Sequence, residues 1–225
     1  MREIVLDTET TGLDPQAGHR VVEVACLELV NHVPTGNSFQ KYVNPEREMP
    51  LDAFAVHGLS SEFLASQPRF AEIVDSFLEF IGNDTLVIHN AEFDLSFINA
   101  ELERVARTKL ERERAVDTVS LARRKFPGAQ ASLDALCRRF SIDATARAKH
   151  GALLDCELLA QVYLELVGGR EPGLSLADAR TLERAADSEI AAAQPRPPRR
   201  HAPSEAELAQ HAAFLAKLKD PVWLG

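Results

Sequence analysis

Near the N-terminus apolar residues come in short runs of strand length, and further along the chain they shift to the three-and-four spacing of helices. Segments 3–9, 21–30 and 38–44 are rich in Val, Ile, Leu or aromatic residues, with turn-forming stretches such as Pro34-Thr35-Gly36-Asn37 between them. Three consecutive runs with short connections predict an antiparallel meander. The spacing becomes helical over about 61–81, returns to an apolar strand at 85–89, and enters a helix near 91–106. A short strand at 115–118 and helices near 118–125, 132–139 and 152–167 complete the alternation. This pattern predicts an α/β fold, one mixed β-sheet flanked by helices.

The pattern changes after Gly168-Gly169. A first domain over 1–170 is expected to be followed by a short helical extension at 171–192. Residues 193–203, Ala193-Gln194-Pro195-Arg196-Pro197-Pro198-Arg199-Arg200-His201-Ala202-Pro203, form a Pro/Arg linker that regular helix or sheet cannot accommodate. In the tail, 204–225, Ser204 and Glu207 have capping-box spacing, and Leu208, Ala212, Leu215 and Leu218 follow at helical intervals before Pro221. An amphipathic helix without a core of its own, followed by Val222-Trp223-Leu224, suits docking on a partner protein or a return to its own domain.

Composition narrows the class. With 225 residues, 45% hydrophobic and 26% charged, the chain can bury a core, and no apolar stretch approaches the roughly 20 residues that span a bilayer. The start of the chain has no signal-peptide pattern, and Cys26, Cys137 and Cys156 lack CxxC spacing. A reducing cytoplasm is therefore expected and a zinc site is not. The net charge of -9 argues against binding of nucleic acid by bulk electrostatics, so any such substrate must be gripped locally or delivered. That charge is uneven: eight Lys and Arg residues between Arg104 and Lys125 face only Glu111, Glu113 and Asp117. Such a run is either a phosphate-facing patch or a solvated helix face and loop.

The candidate chemistry lies in carboxylates. In Ile4-Val5-Leu6-Asp7-Thr8-Glu9 the strand period puts Asp7 and Glu9 side by side on one face. Either the strand end runs into solvent, or the two charges share a hard divalent cation such as Mg2+ or Mn2+. Two helices repeat the anomaly. Stepping back four residues from Ile98, on the stripe with Leu102 and Val105, lands on Asp94, and the stripe Leu158, Leu159, Val162 and Leu166 begins at Asp155. Either acid alone is explained by an ion pair with an arginine; four together make a set that two divalent cations would neutralise. His150 precedes Asp155 by five residues, and a helix break at Gly151 would leave it on a loop, free to accept a proton from water.

In order and spacing, Asp7-x-Glu9 with Thr10-Thr11-Gly12, then His89-Asn90-Ala91-x-Phe93-Asp94, then His150-x4-Asp155 resemble the three motifs of the DEDDh family of 3'-to-5' exonucleases. The segment Val56-His57-Gly58-Leu59-Ser60-x-Glu62-Phe63-Leu64, the Pro/Arg linker and the tail further resemble the proofreading exonuclease subunits of bacterial replicative DNA polymerases. The resemblance implies a ribonuclease H-like sheet and two-metal phosphodiester hydrolysis that releases nucleoside 5'-monophosphates from single-stranded or frayed DNA 3' ends, the ions about 3.5 to 4 Å apart. It implies that Asp7 bridges both ions, Glu9 and Asp155 complete the site of the attacking water, Asp94 supports the second ion, and His150 is the base.

Thr10, Gly12 and Leu13, in a turn with free backbone N–H groups and an apolar tip, and His57, Asn90, Phe93 and Phe97 are the candidates to contact the terminal nucleotide. The resemblance also implies that residues 204–225 bind the polymerase catalytic subunit, within a cytoplasmic, nucleoid-associated replisome. Gly173-Leu174-Ser175-Leu176 resembles a sliding-clamp segment but lacks the glutamine usual at its start. Rival readings are a free-standing DEDDh ribonuclease that trims RNA or oligonucleotides, and a replisome subunit whose nuclease fold is only scaffold.

Overall fold

A computed structural model describes residues 1–145, 150–168 and 202–217. The chain divides into two units, residues 1–173 and residues 174–225. The extension at 171–192, the clamp-like segment Gly173–Leu176, most of the Pro/Arg linker and the tail end at 218–225 lie outside the described residues.

The first unit is built on one five-stranded sheet. Strands β1 (Arg2–Thr10), β2 (Val21–Val30) and β3 (Val33–Tyr42) form the antiparallel meander, and β4 (Thr85–Ile88) and β5 (Ala115–Asp117) add in parallel on the other side of β1. The resulting order is β3-β2-β1-β4-β5. The first hairpin turns at Asn31-His32, both with positive φ (51° and 67°), rather than at Pro34–Asn37. Two successive left-handed residues match the twist of the flanking strands, and Asn tolerates that conformation. The predicted turn residues therefore lie inside β3, a largely exposed edge strand.

Helices α1 (Leu51–His57), α2 (Ser61–Ala65) and α3 (Phe70–Ile81) connect β3 to β4. The single helix expected over 61–81 is thus two, because Pro68 cannot continue a helix and the chain restarts at Phe70. Sequence spacing missed α1: its Leu51, Phe54 and Val56 are 82%, 38% and 47% exposed, so burial imposes no stripe on it. Ser60 caps α2, its Oγ accepting the Phe63 N–H at 3.1 Å. Helix α4 (Ala91–Arg104) follows β4, and α5 (Thr118–Lys125), α6 (Leu133–Arg139) and α7 (Ala152–Val167) follow β5.

Strand alternation divides the core. Ile4 and Leu6 of β1, Val24 and Cys26 of β2, and Leu86 and Ile88 of β4 pack with α3 and α4. Val5, Ala25, Leu27 and Val87 pack with α6 and α7 on the opposite face. Helix α7 crosses that second face antiparallel to β1. Near its far end the Tyr163 hydroxyl donates to Glu3 Oε1 at 2.7 Å, Cys156 packs on Val5 and Ala25, and its first turn reaches the carboxyl end of the strand. Both α4 and α7 therefore begin beside the end of β1, where Asp7 and Glu9 lie.

In the second unit the described structure is α8 (Glu205–Leu215), started by a reciprocal capping box between Ser204 and Glu207. Leu208 and Phe214 on it are 53% and 58% exposed. No helix among the described residues is long and apolar enough to cross a membrane.

Candidate active site

A cleft of about 330 Å3 opens at the end of β1, and its walls hold Asp7, Glu9, Asp94, Asp134 and Asp155 with His89 and His150. Asp7 and Glu9 come from the second face of β1, Asp155 from the first turn of α7 above that face, and Asp94 from the first turn of α4 on the other side. Glu9, Asp94 and Asp155 are each less than a tenth exposed. No Lys or Arg lines the cleft among the described residues. Five carboxylates with no described Lys or Arg beside them are a suitable oxygen donor set for divalent metal ions.

The geometry is most complete at Glu9, His150 and Asp155, which each bring one ligand-type atom to within 4.8 Å of the others. Asp7 and Asp94 line the same cleft outside that cluster. Asp94 is held from β1: the Thr8 backbone N–H and hydroxyl donate to its Oδ1 at 3.0 and 2.7 Å. Burial pushes its carboxyl up to about 7, and the Thr8 bonds oppose that shift. Thr8 can do this because it alternates with Asp7 and Glu9 and faces α4.

Helix α7 starts at Ala152 with Gly151 as its extended cap, so His150 lies before the helix and turns toward the cleft. Its Nδ1 is 3.4 Å from Asp155 Oδ2, its backbone N–H donates to Val56 O at 3.2 Å, and its side chain is 48% exposed. A fourth buried acid supports this corner. Glu23, 2% exposed and opposite Glu9 across the strands, accepts the Ala152 N–H at 3.3 Å and the Gln40 amide at 2.7 Å. Burial raises its pKa, and the nearby Asp155 adds to the shift. The strand register slips just beyond this pair, between Glu9 and Thr10, a bulge that re-aims the chain into the following turn.

That turn walls a second cavity of about 510 Å3, lined by Thr10, Gly12, Leu13, Val56, His57 and Phe93 among others, and sharing Thr8, Glu9 and Phe93 with the carboxylate cleft. Gly12 is required there, since a Cβ would meet the His19 ring at 2.3 Å. Leu13 is 85% exposed at the tip, and the His57 Nδ1 accepts the Leu59 N–H at 3.1 Å. Phe97 is a correction: it is 1% exposed, packed behind Phe93 with ring centroids 5.0 Å apart, and lines neither cavity. Asn90 caps the start of α4 in the left-handed region (φ 67°, ψ 57°), on the other side of the cleft from the apolar cavity, and lines a third, polar cavity.

Sequence reasoning missed Thr8, Glu23 and Asp134. Glu23 was legible, since it shares the inward face of β2 with Ala25 and Leu27. Thr8 and Asp134 carry no local signal.

A family model described as Exonuclease matches residues 4–163. The DNA polymerase III subunit epsilon of Rickettsia conorii (strain Malish 7) is 46% identical over 222 residues, 97% of this chain and 96% of that protein. Its counterpart in Rickettsia felis is 53% identical over 181 residues, 79% of each. Among solved structures, the nuclease domain of 3'hExo, a DEDDh family member bound to rAMP, superposes with a TM-score of 0.65 at 17% identity, covering 74% of this chain and 91% of that one. At that identity the likeness speaks for the fold alone.

Proposed function

The chain belongs to the Exonuclease family, among the DNA polymerase III epsilon subunits, and on that premise we propose that it removes mismatched nucleotides from DNA 3' ends during bacterial replication in the cytoplasm. The observation that carries this reading is the cleft of five carboxylates with no Lys or Arg on its described walls. Two Mg2+ or Mn2+ ions, when bound, would supply the Lewis acidity that lowers the pKa of the attacking water and offsets charge on the phosphate and the departing 3' oxygen.

The chain's own residues do the rest. Glu9 and Asp155 would hold one ion beside His150, Asp7 would be shared with the second, and Asp94, fixed by Thr8, would support that one. His150 takes the proton of the attacking water, and its half-exposed position lets that proton pass to solvent. The terminal nucleotide occupies the apolar cavity between Leu13, His57 and Phe93. Such a site reads no sequence and needs little basic surface, which accords with a net charge of -9.

Delivery falls to the tail. On α8 the helical spacing of Leu208, Ala212 and Leu215 offers an apolar stripe for a polymerase subunit, with Leu208 exposed on it, and the tether supplies local concentration. Clamp contact through Gly173–Leu176 is expected to be weak without the usual glutamine. A free-standing trimming ribonuclease is disfavoured by a match to polymerase subunits that includes the tail.

The test uses full-length protein and a primer with a mismatched 3' end, with Mg2+ or Mn2+. Release of 5'-monophosphates, lost in an Asp7→Ala, Glu9→Ala variant that still captures the polymerase subunit, is the expected result. An intact primer with either metal refutes the reading, and a preference for RNA moves it to the ribonuclease. Capture of the polymerase should require residues 193–225.

A further inference from the structure

The run of cations between Arg104 and Lys125 resolves into two groups. Most are committed to the fold. Arg107 pairs with Asp75 at 2.6 Å, Arg114 donates to the Asp84, Ile81 and Gly82 carbonyls at 2.6 to 2.7 Å, and Lys125 caps the last carbonyls of α7, Glu165 and Leu166. Arg123 and Arg124 on α5 differ. Both are exposed, and neither has a hydrogen bond or ion pair to another described residue. Arg112 spends one nitrogen on the Ala115 carbonyl at 3.1 Å and keeps the rest of its guanidinium.

These three arginines lie along a groove that continues the carboxylate cleft. A polar cavity of about 560 Å3 shares His89 and Ser132 with the cleft and extends past Asn90 to Arg112 and Arg123. A further cavity of about 560 Å3 carries the same wall on to Arg124. Glu92 and Asp117 also line the groove, and the Asp117 carboxylate is already occupied by the Asn90 and Val119 N–H groups and the Ser120 hydroxyl. The Asn90 side-chain amide makes no capping bond to its helix and lies on the groove with its two donors. The three spaces therefore run in a line: an apolar cavity, an acidic cleft, then a groove whose outer wall is arginine.

Resting on the nuclease reading above, we propose that this groove is the track for the single strand of DNA 5' to the scissile bond, with Asn90 beside the cleft and Arg123, Arg112 and Arg124 taking successive phosphates. The order of the spaces fixes the polarity. A terminal nucleotide in the apolar cavity and its phosphate in the acidic cleft leave the groove as the continuation for the rest of the strand. Backbone phosphates suit guanidinium forks and carry no sequence, as a proofreading site requires.

The test compares two substrates of the full chain: dTpdT, which has no phosphate beyond the scissile one, and a single-stranded DNA octanucleotide. In an Arg112→Ala, Arg123→Ala variant, KM for the octanucleotide should rise about ten-fold with kcat retained, and its dependence on log salt should become shallower by about 1.4, or 0.7 per contact. Hydrolysis of dTpdT should not change. Arg107→Ala removes a single positive charge beyond the far end of α4, a helix that carries it about 15 Å from Asp94, and should leave both substrates unaffected. An unchanged KM and salt slope for the octanucleotide, or an equal loss on dTpdT, overturns the track. Wild-type protein that cleaves neither substrate overturns the nuclease reading itself.

Discussion

Replacing Asp94 with Asn should stabilise the metal-free protein while abolishing hydrolysis. Asp94 is 3% exposed, and burial pushes its carboxyl up to about 7 from an ordinary 3.8. A carboxyl that binds its proton more tightly folded than unfolded is neutral in both states below about pH 4. Its ionisation cost then grows as pH rises, and is complete above about pH 7. Three pKa units set a ceiling of about 4 kcal/mol. That shift already includes the preference of the two Thr8 donors for a carboxylate. Two effects reduce the ceiling: a charge in the first turn of α4 gains about 0.3–1 kcal/mol from the helix dipole, and the amide that replaces the acid carries its own cost of burial. An Asn oxygen can still accept from both Thr8 donors. The net gain for Asp94→Asn should be about 2 kcal/mol at pH 8, or about 4–8 °C in Tm, and should shrink as pH falls toward 4. Thermal unfolding in EDTA from pH 5 to 8.5 measures it, and saturating Mn2+ should remove the advantage by stabilising the wild type alone. A variant no more stable than wild type at pH 8 in EDTA, or an advantage of equal size at pH 5 and pH 8, would refute the account of a strained carboxylate awaiting a cation.

Three further substitutions probe the supports of the site. Thr8→Val keeps the shape but removes the 2.7 Å hydroxyl bond to Asp94, so the Mg2+ concentration at half-maximal rate should rise about ten-fold, the equivalent of about 1.5 kcal/mol. Glu23→Ala orphans the Ala152 N–H at the start of α7, and should cost about 1–3 kcal/mol in urea unfolding and lower kcat, whereas Glu23→Gln should retain most of both. Gly12→Ala drives a Cβ into the His19 ring, so displacement of the turn should cost about 1–3 kcal/mol in thermal unfolding and raise KM for DNA ends.

The acids were legible because each breaks a period that its neighbours keep: Asp7 and Glu9 continue the inward face of Val5, and Asp94 and Asp155 occupy apolar stripes. A carboxylate where the pattern calls for leucine has few explanations. The same logic reaches Glu23, which shares the inward face of β2 with Ala25 and Leu27. Other features depend on which distant groups meet. Nothing local to Thr8 announces a partner 86 residues away, and α1 has no buried stripe because it walls a cavity. Phe93 and Phe97 are four residues apart on one face of α4, yet one turn of depth leaves the first at the cavity and the second in the core. Charge runs are opaque for a similar reason: carbonyls that recruit Arg114 and Lys125 belong to other elements, so only the fold separates structural cations from available ones.

The order in which the site is assembled along the chain has a consequence for the cell that makes this protein. Asp7 and Glu9 emerge first from the ribosome, but the wall they need comes with α7, the last described helix of the first unit. A nascent chain, or a fragment cut before Ala152, holds fewer than the full set of carboxylates and lacks the corner formed by Glu9, His150 and Asp155. A chain truncated before Ala152 is therefore expected to hydrolyse no DNA, so that partly made copies should leave DNA ends intact.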